Sequence, residues 1–145
     1  MSVGPMQAEL LVVLSAELLD VDSIARFVQR PGAGANVVFT GVVRDLDGGR
    51  PVVELEYQAH PTAEAVLQEI AAEFGADDEV IALAVAHRTG TLAVGDTALV
   101  AAVATAHRRE GFELCARLVD EIKHRLPVWK RQLFADGTDE WVNCP

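Results

Sequence analysis

The spacing of hydrophobic and polar residues changes along the chain between a strand-like and a helical period, and these changes predict alternating strands and helices. Residues 8–14 form a short apolar run that is typical of a strand. Either Asp20 or Asp22 can cap a short helix that continues to about Gln29 and ends before the turn signal Pro31-Gly32. The chain therefore opens with a strand, a short helix and a loop.

Two runs rich in β-branched residues follow the loop, at 36–44 and 51–59. The segment between them contains Asp47-Gly48-Gly49, a sequence that favours a turn with positive φ. Apolar and polar residues alternate in the second run, so one face of that strand is expected to be wet. We interpret the two runs as a hairpin.

Two longer segments have the spacing of amphipathic helices. Residues 61–75 carry apolar residues on one stripe, with Pro61 in the first turn and Gly75 as a C′ residue. A second helix is predicted from Arg108 to Leu126, because Pro127 must end it. The stripe that this helix is predicted to bury consists of Phe112, Cys115, Val119, Ile122 and Leu126.

The remaining segments predict strands. Runs 79–88 and 97–107 are almost continuously apolar, which indicates a sheet covered on at least one face, and the turn-rich segment between them can hold a short strand. Strands are also predicted at 128–134 and around 141–142, separated by an Asp136-Gly137 turn. The order β-α-β-β-α-β-β-α-β-β indicates an α+β sandwich.

Length and composition fit a single globular domain spanning residues 1–145, with any disorder expected within residues 1–7. No apolar run reaches the ~18 residues that a membrane span needs, and the N-terminus lacks a secretory signal pattern, so we expect a cytoplasmic protein with no membrane partner. The two cysteines, Cys115 and Cys144, form no CxxC or Cys/His cluster. Neither a disulfide framework nor a metal site is indicated, and we interpret them as a buried thiol and a tail thiol.

The net charge of −10 disfavours a protein whose main task is to hold nucleic acid. The charge is uneven, however: residues 1–106 carry 5 basic and 15 acidic side chains, whereas residues 107–145 carry 7 of each. Between residues 107 and 131 there are 7 basic and 4 acidic side chains. A local surface that attracts anions is therefore expected on a protein that otherwise repels them.

The chain has two lysines, and both occur near Pro127. Lys123 lies at the margin of the apolar stripe of its helix, where its ammonium group is expected to be partly desolvated. Lys130 follows the proline, so the two side chains can converge on one site. The structural alternatives are a Lys123 paired with Asp120 and a Lys130 on an edge strand.

Other basic residues lie where strands end. His107-Arg108-Arg109 occurs between an apolar strand and a helix, where free N–H groups and guanidinium groups attract an anion, although a nearby carboxylate would satisfy them equally. Arg44 ends a strand before the Gly-rich turn and is weak evidence by itself. For His87-Arg88, at the end of another strand, we favour a structural or interface role.

Seven short motifs occur in a fixed order along the chain. They are Phe39 to Arg44, Leu55-Glu56-Tyr57, His87-Arg88-Thr89-Gly90, His107-Arg108, Lys123 to Lys130, Asp136-Gly137 and Trp141. With this order and the spacing from Lys123 to Lys130, the chain resembles a known family, the large catalytic subunit of molybdopterin synthase, from about residue 8 to residue 142.

The resemblance implies an α/β hammerhead fold with an additional small antiparallel β subdomain, and a central homodimer. It also implies that a ubiquitin-like small subunit docks at each end to form a heterotetramer. The C-terminal Gly-Gly thiocarboxylate of that subunit would donate sulfur to cyclic pyranopterin monophosphate, and two transfers would make the molybdopterin dithiolene. No cofactor or metal is implied for the reaction.

Site residues are implied position by position. Lys123 corresponds to the principal catalytic residue of the family, and Lys130 corresponds to an assisting one. The family usually has glutamate at the position of Gln132, which makes any role that needs a negative charge there doubtful. The substrate-binding positions correspond to Val42, Val43, Arg44, His107, Arg108, Lys123, Lys130, Arg131 and Gln132.

Thiocarboxylate is an activated sulfur donor, so Lys123 is expected to act as a general acid/base or as a transient acyl acceptor. Arg44, Arg108 and the lysines would stabilise charge on phosphate oxygens. A second interpretation is a non-catalytic subunit of the same fold that binds a pterin or another anion or serves in assembly, and Gln132 supports it.

Overall fold

A computed structural model describes residues 7–144, and side chains through Val142. Three helices and nine strands occur in these residues, which confirms the predicted α+β class. In chain order they are β1 Glu9–Ser15, α1 Val21–Phe27, β2 Ala35–Val42, β3 Leu46–Asp47, β4 Arg50–Ala59, α2 Ala63–Gly75, β5 Val80–Arg88, β6 Gly90–Ala93, β7 Thr97–Thr105, α3 Arg108–Arg125, β8 Val128–Phe134 and β9 Asp139–Cys144. The expectations for residues 1–6 and for the Cys144 side chain lie outside the described part.

The larger core forms around a four-stranded sheet with the order β1-β5-β7-β2. β1 pairs with β5 in parallel, and the other pairs are antiparallel. Helices α2 and α3 cover the face that carries Leu83, Val85 and Val103, whereas α1 covers the opposite face through Ile24 and Val28. Coverage on both faces explains why β5 and β7 are almost continuously apolar.

The second sheet contains β3, β4, β8 and β9 in that order, and β6 pairs with β4 on the same sheet. β8 is an interior strand because it pairs with β4 on one side and β9 on the other. A small core of Val43, Leu55, Leu92 and Ala98 packs beneath this sheet. The C-terminal end of α3 leads directly into β8, so the last turn of the helix lies next to the second sheet.

The predicted hairpin between residues 36–44 and 51–59 is wrong. β2 pairs with β7 in the first sheet, whereas β4 pairs with β6 and β8 in the second. The glycine-rich turn instead joins the two-residue strand β3 to β4, with Gly48 and Gly49 at φ values of 56° and 79°. The chain therefore crosses between sheets directly after Val42, at a β-bulge between Gly41 and Val42.

The helix predictions hold, with two corrections. Gly75 is the last residue of α2 rather than a left-handed C′ residue, and a Cβ there would lie 2.7 Å from Leu10 Cδ2, so the glycine allows a close approach to β1. Phe112, predicted to be buried, is 63% exposed. Gly111 faces the first sheet in its place, because a Cβ on Gly111 would lie 3.0 Å from both Thr105 Oγ1 and Val37 Cγ2.

None of the helices in the described chain combines the length and the apolar character needed to cross a bilayer.

Candidate active site

A cavity of about 240 Å³ lies where the C-terminal half of α3, the end of β2 and the inner face of the second sheet meet. Its floor is apolar and is formed by residues such as Leu55, Leu99, Ile122 and Val128, whereas its polar groups come from five separate elements and from the loop after β2. The polar and charged side chains that line it are Arg44, Asp47, Tyr57, His87, Lys123, Lys130 and Gln132.

The two lysines converge on this cavity. Lys123 is exposed and lies in the last turn of α3, which ends because Leu126 adopts an extended conformation before Pro127. Lys130 is half-buried on β8, opposite Tyr57 of β4. Within the described part of the chain no carboxylate forms an ion pair with either lysine. The alternative of a Lys123–Asp120 pair is therefore wrong, and so is that of an edge strand, since β8 is interior.

Residues 42–44 form part of the wall of the cavity that the lysines also line. The Val43 N–H donates to the Asp96 carbonyl oxygen at 3.0 Å, and the Gly95 N–H donates to the Val43 carbonyl oxygen at 2.9 Å. Asp96 also forms an ion pair with Arg88 at 3.4 Å, and the Arg88 side chain is only 8% exposed. This set of contacts fixes the backbone before Arg44, whose exposed side chain lines the cavity.

Alternation along β8 separates Gln132 from Arg131. Gln132 is only 4% exposed and lines the cavity. Its Oε1 has no hydrogen-bond partner among the described residues. Arg131 projects from the opposite face of the strand, where its Nε donates to Asp139 Oδ2 at 2.7 Å and this bond raises the pKa of Arg131. The structure thus places Arg131 outside the cavity that holds Lys130 and Gln132.

The cavity is cationic on an acidic protein. Arg44, Lys123 and Lys130 provide three positive groups against the single carboxylate of Asp47, whereas the whole chain carries a net charge of −10. Arginine and lysine side chains are suited to phosphate, the former through two parallel N–H donors and the latter as a compact charge. The arrangement can therefore hold an anion against an apolar floor.

His107 and Arg108 lie elsewhere. Both are exposed at the start of α3, in a separate depression that we call the α3 entry patch. The patch and Lys123 lie at opposite ends of the 18-residue helix α3, so one chain does not bring the two sets together. The patch is lined by His107, Arg108, Arg109, Glu110, Phe112 and Glu113, so it contains the nearby carboxylates that the sequence analysis allowed for.

His87 is a cavity residue for which the sequence analysis favoured a structural or interface role. It is 5% exposed, and its ring meets the Tyr57 ring edge to face, with centroids 4.9 Å apart. Burial, reinforced by the charge of Lys123 and opposed by a bond to the Arg88 carbonyl, lowers the pKa of His87. The available signal was a histidine next to the end of an otherwise apolar strand, but it could not show which cavity the ring would line.

Cys115 does not belong to the site. It is buried against the first sheet, its Sγ contacts the Ala101 carbonyl oxygen at 3.7 Å, and burial raises the pKa of its thiol. Across residues whose side chains are described, no group of three His, Cys, Asp or Glu residues is placed to hold a metal ion.

Comparison with known proteins agrees with this architecture. The family model described as MoaE protein matches residues 14–125. A molybdopterin synthase catalytic subunit from Arabidopsis thaliana is 37% identical over 120 residues, which cover 82% of this chain and 61% of that relative. The chain thus spans about three fifths of the length of this plant protein.

Solved structures give the same result. Molybdopterin synthase from Staphylococcus aureus matches with a TM-score of 0.80 and 30% identity, covering 95% of this chain and 98% of that one. A chain from the complex of subunits 1 and 2 of molybdopterin-converting factor from Helicobacter pylori shares the fold, with a TM-score of 0.68 and 22% identity over 92% of this chain and 88% of that one. The chain belongs to the MoaE protein family.

Proposed function

We propose that this chain is the catalytic subunit of a molybdopterin synthase. In this proposal it transfers sulfur from the C-terminal thiocarboxylate of a ubiquitin-like small subunit to cyclic pyranopterin monophosphate. The observation that carries the proposal is the convergence of Lys123 and Lys130 in one cationic cavity, together with Arg44. Family membership and the similarity to named catalytic subunits support the same conclusion.

The chemistry requires charge stabilisation and a proton source more than a nucleophile supplied by the chain. Opening the cyclic phosphate releases an oxygen that needs a proton, and negative charge on the phosphate needs cations. Half-buried Lys130 and Arg44 are suited to hold the phosphate, whereas exposed Lys123 at the same cavity is accessible to an incoming thiocarboxylate. Lys123 then acts as the general acid/base or accepts the acyl group transiently.

The sulfur atom comes from the partner in this scheme. Cys115 is buried away from the cavity and its thiol has a raised pKa, so it is unsuited to carry sulfur to the substrate. A Gly-Gly tail is suited to delivery because glycines lack side chains and fit a narrow entrance. In each transfer the sulfur bonds to a substrate carbon that loses an oxygen, and water then cleaves the bond between the acyl carbon and the sulfur, so the tail leaves as a carboxylate. Two transfers complete the dithiolene.

His107 and Arg108 fit this scheme when a second copy of the chain supplies them. They lie at the α3 entry patch, apart from the cavity of their own chain. The resemblance implies a homodimer, and in a symmetric dimer a patch on one protomer can complete the cavity of its partner. We therefore assign both residues to substrate binding across the homodimer.

A non-catalytic subunit that binds a pterin or serves in assembly is the second candidate function. Gln132 favours it, because the neutral amide replaces the glutamate that is usual in the family. The two candidates share the cavity and its cations, so binding alone does not separate them. Only conversion of the substrate distinguishes an enzyme from a binding module.

A reconstituted reaction tests the proposal. Purified chain, thiocarboxylated small subunit and cyclic pyranopterin monophosphate are mixed, and the oxidised pterin product is followed by fluorescence and mass. We expect a product that carries two sulfur atoms, and no product when the small subunit ends in an ordinary carboxylate. Precursor that binds but stays unchanged with the charged subunit would reject the synthase assignment and favour the binding module.

A further inference from the structure

His87 lies in the cavity without a role in the scheme above. It is the penultimate residue of β5 and is held between Leu14 of β1 and Leu99 of β7. Its backbone is therefore fixed by pairing on both sides, and its ring packs edge to face against Tyr57. The ring lines the cavity that contains Lys123.

The hydrogen bond of His87 defines its tautomer. Nδ1 lies 2.6 Å from the Arg88 carbonyl oxygen, which can only accept, so Nδ1 carries the proton. Burial and the positive charge of Lys123 both favour the neutral ring over the imidazolium. Nε2 is consequently left as a hydrogen-bond acceptor.

Among the residues whose side chains are described, the hydrogen bond of the His87 ring is made by Nδ1. Nε2 is not among the buried polar atoms of those residues that lack a partner. Because His87 lines the cavity, Nε2 is the ring nitrogen that remains for a ligand there.

Side-chain acceptors in this cavity are the oxygens of Asp47, Tyr57 and Gln132 and the Nε2 atom of His87. Arg44, Lys123 and Lys130 carry only donors, which suit the phosphate of a ligand. A pterin ring also presents N–H groups, and each would lose its hydrogen bond to water on entering the cavity unless an acceptor replaces that bond. His87 Nε2 supplies an acceptor in a fixed position beside the cationic groups.

We propose that His87 is a substrate-orienting residue whose Nε2 accepts a hydrogen bond from an N–H group of the bound pterin ring, while the cations hold the phosphate. The inference rests on the proposed function for the identity of the substrate. The inference adds a role in specificity for His87. The N–H donor of the pterin ring, and not the phosphate alone, then determines how the substrate lies relative to Lys123.

Two isosteric variants test this role against a purely structural one. The amide of His87→Gln reaches the position of Nε2, whereas the amide of His87→Asn reaches the position of Nδ1 and preserves the bond to the Arg88 carbonyl. We expect the dissociation constant for cyclic pyranopterin monophosphate, measured by calorimetry, to rise about tenfold in His87→Asn and no more than about threefold in His87→Gln. A structural role predicts the reverse order.

Inorganic phosphate is the matched probe, because it has no ring. Its affinity should be the same in the wild type and in both variants, and a parallel loss for phosphate would overturn the proposal by showing general damage to the cavity. Equal pterin affinity in wild type and His87→Asn, or equal weakening in both variants, would also overturn it.

A measurement on the unmodified protein covers the case in which a variant does not fold. In the ¹⁵N spectrum of histidine-labelled wild type, the His87 Nε2 resonance should shift on addition of the pterin and stay in place on addition of phosphate. An unshifted Nε2 resonance at saturating pterin would reject the contact. Binding without conversion in the reconstituted reaction would reject the proposed function while leaving the His87 contact to be judged by these affinities and spectra.

Discussion

The cavity and the α3 entry patch both contain basic residues that the sequence marked as substrate-binding, but they are built differently. The cavity has an apolar floor, a wall fixed by the Arg88–Asp96 pair, and a buried amide at Gln132. The patch is an exposed depression in which His107 and Arg108 lie beside the carboxylates of its own helix.

This difference assigns the chemical step to the cavity and additional substrate binding to the α3 entry patch. Electrostatic interactions are stronger where the walls exclude water, so the cavity can stabilise a developing charge, whereas exposed groups contribute mainly to attraction. Helix α3 connects the two regions, with the patch at its first turn and Lys123 in its last. A complete site therefore needs the cavity of one chain and, in our proposal, the patch of another.

The largest effect is expected from Lys123→Ala. Removing the ammonium group that we assign to proton or acyl transfer should lower the turnover of the reconstituted reaction by about a hundredfold or more. Arg26→Ala is the matched control, since it also removes one cation but lies in α1, on the opposite face of the first sheet. Near-normal turnover of a folded Lys123→Ala protein would show that the cavity takes no part in the reaction.

The next effect concerns the wall of the cavity. Asp96→Ala leaves the buried Arg88 guanidinium without its carboxylate and removes the acceptor of the Ala93 N–H, so we expect a loss of about 2 kcal/mol in the free energy of unfolding. Urea denaturation measures it. Arg125→Ala, which breaks the exposed ion pairs with α2, is the control and should cost less. Equal losses in the free energy of unfolding for Asp96→Ala and Arg125→Ala would show that the buried ion pair stabilises the protein no more than the exposed pairs do.

Mixing two inactive variants tests how the regions combine. The Lys123→Ala substitution inactivates the cavity of its chain, and the Arg108→Ala substitution inactivates the α3 entry patch of its chain. When the two are unfolded, mixed in equal amounts and refolded, half of the dimers are mixed and each has one intact site, so turnover should recover to about a quarter of wild type. Recovery no greater than the average of the separate variants would place Arg108 in the site of its own chain or outside the reaction.

The smallest effect is a pH dependence that comes from the buried histidine. Because the pKa of His87 is lowered in the folded protein, the unfolded chain binds more protons below about pH 6.5, and stability is lost as the pH falls. Between pH 8 and pH 6 the contribution is at most about 0.8 kcal/mol, the limit for a ring that stays neutral in the folded protein. Urea titrations of wild type and His87→Gln should diverge by up to this amount over that range, and parallel curves would show that His87 titrates normally in the folded state.

Much of the fold could be predicted from local patterns. Helix α1 begins after Asp20, whose side chain accepts the Ser23 N–H, and α3 ends before Pro127, as the sequence indicates. Strand pairing was less accessible: a turn signal such as Gly48-Gly49 shows that the chain reverses but not which strands it joins. The chain crosses to another sheet after a bulge at Gly41, and a bulge depends on long-range pairing.

For the candidate site too, local features could be predicted and long-range packing could not. Local spacing placed Lys123 and Lys130 near each other, because few residues separate them. It could not place Arg131 outside the cavity, since that depends on the face of β8 that the second sheet covers, nor His87 inside it, since β5 is distant in sequence from α3. Three-dimensional packing alone decides which polar side chains share a cavity.

A crystal structure of the chain with cyclic pyranopterin monophosphate tests the central claim most directly. Our account predicts the ligand in the cavity, with its phosphate contacting Lys130 and Arg44 and its ring lying between His87 and Lys123. A ligand bound at the α3 entry patch, with the cavity vacant, would contradict it.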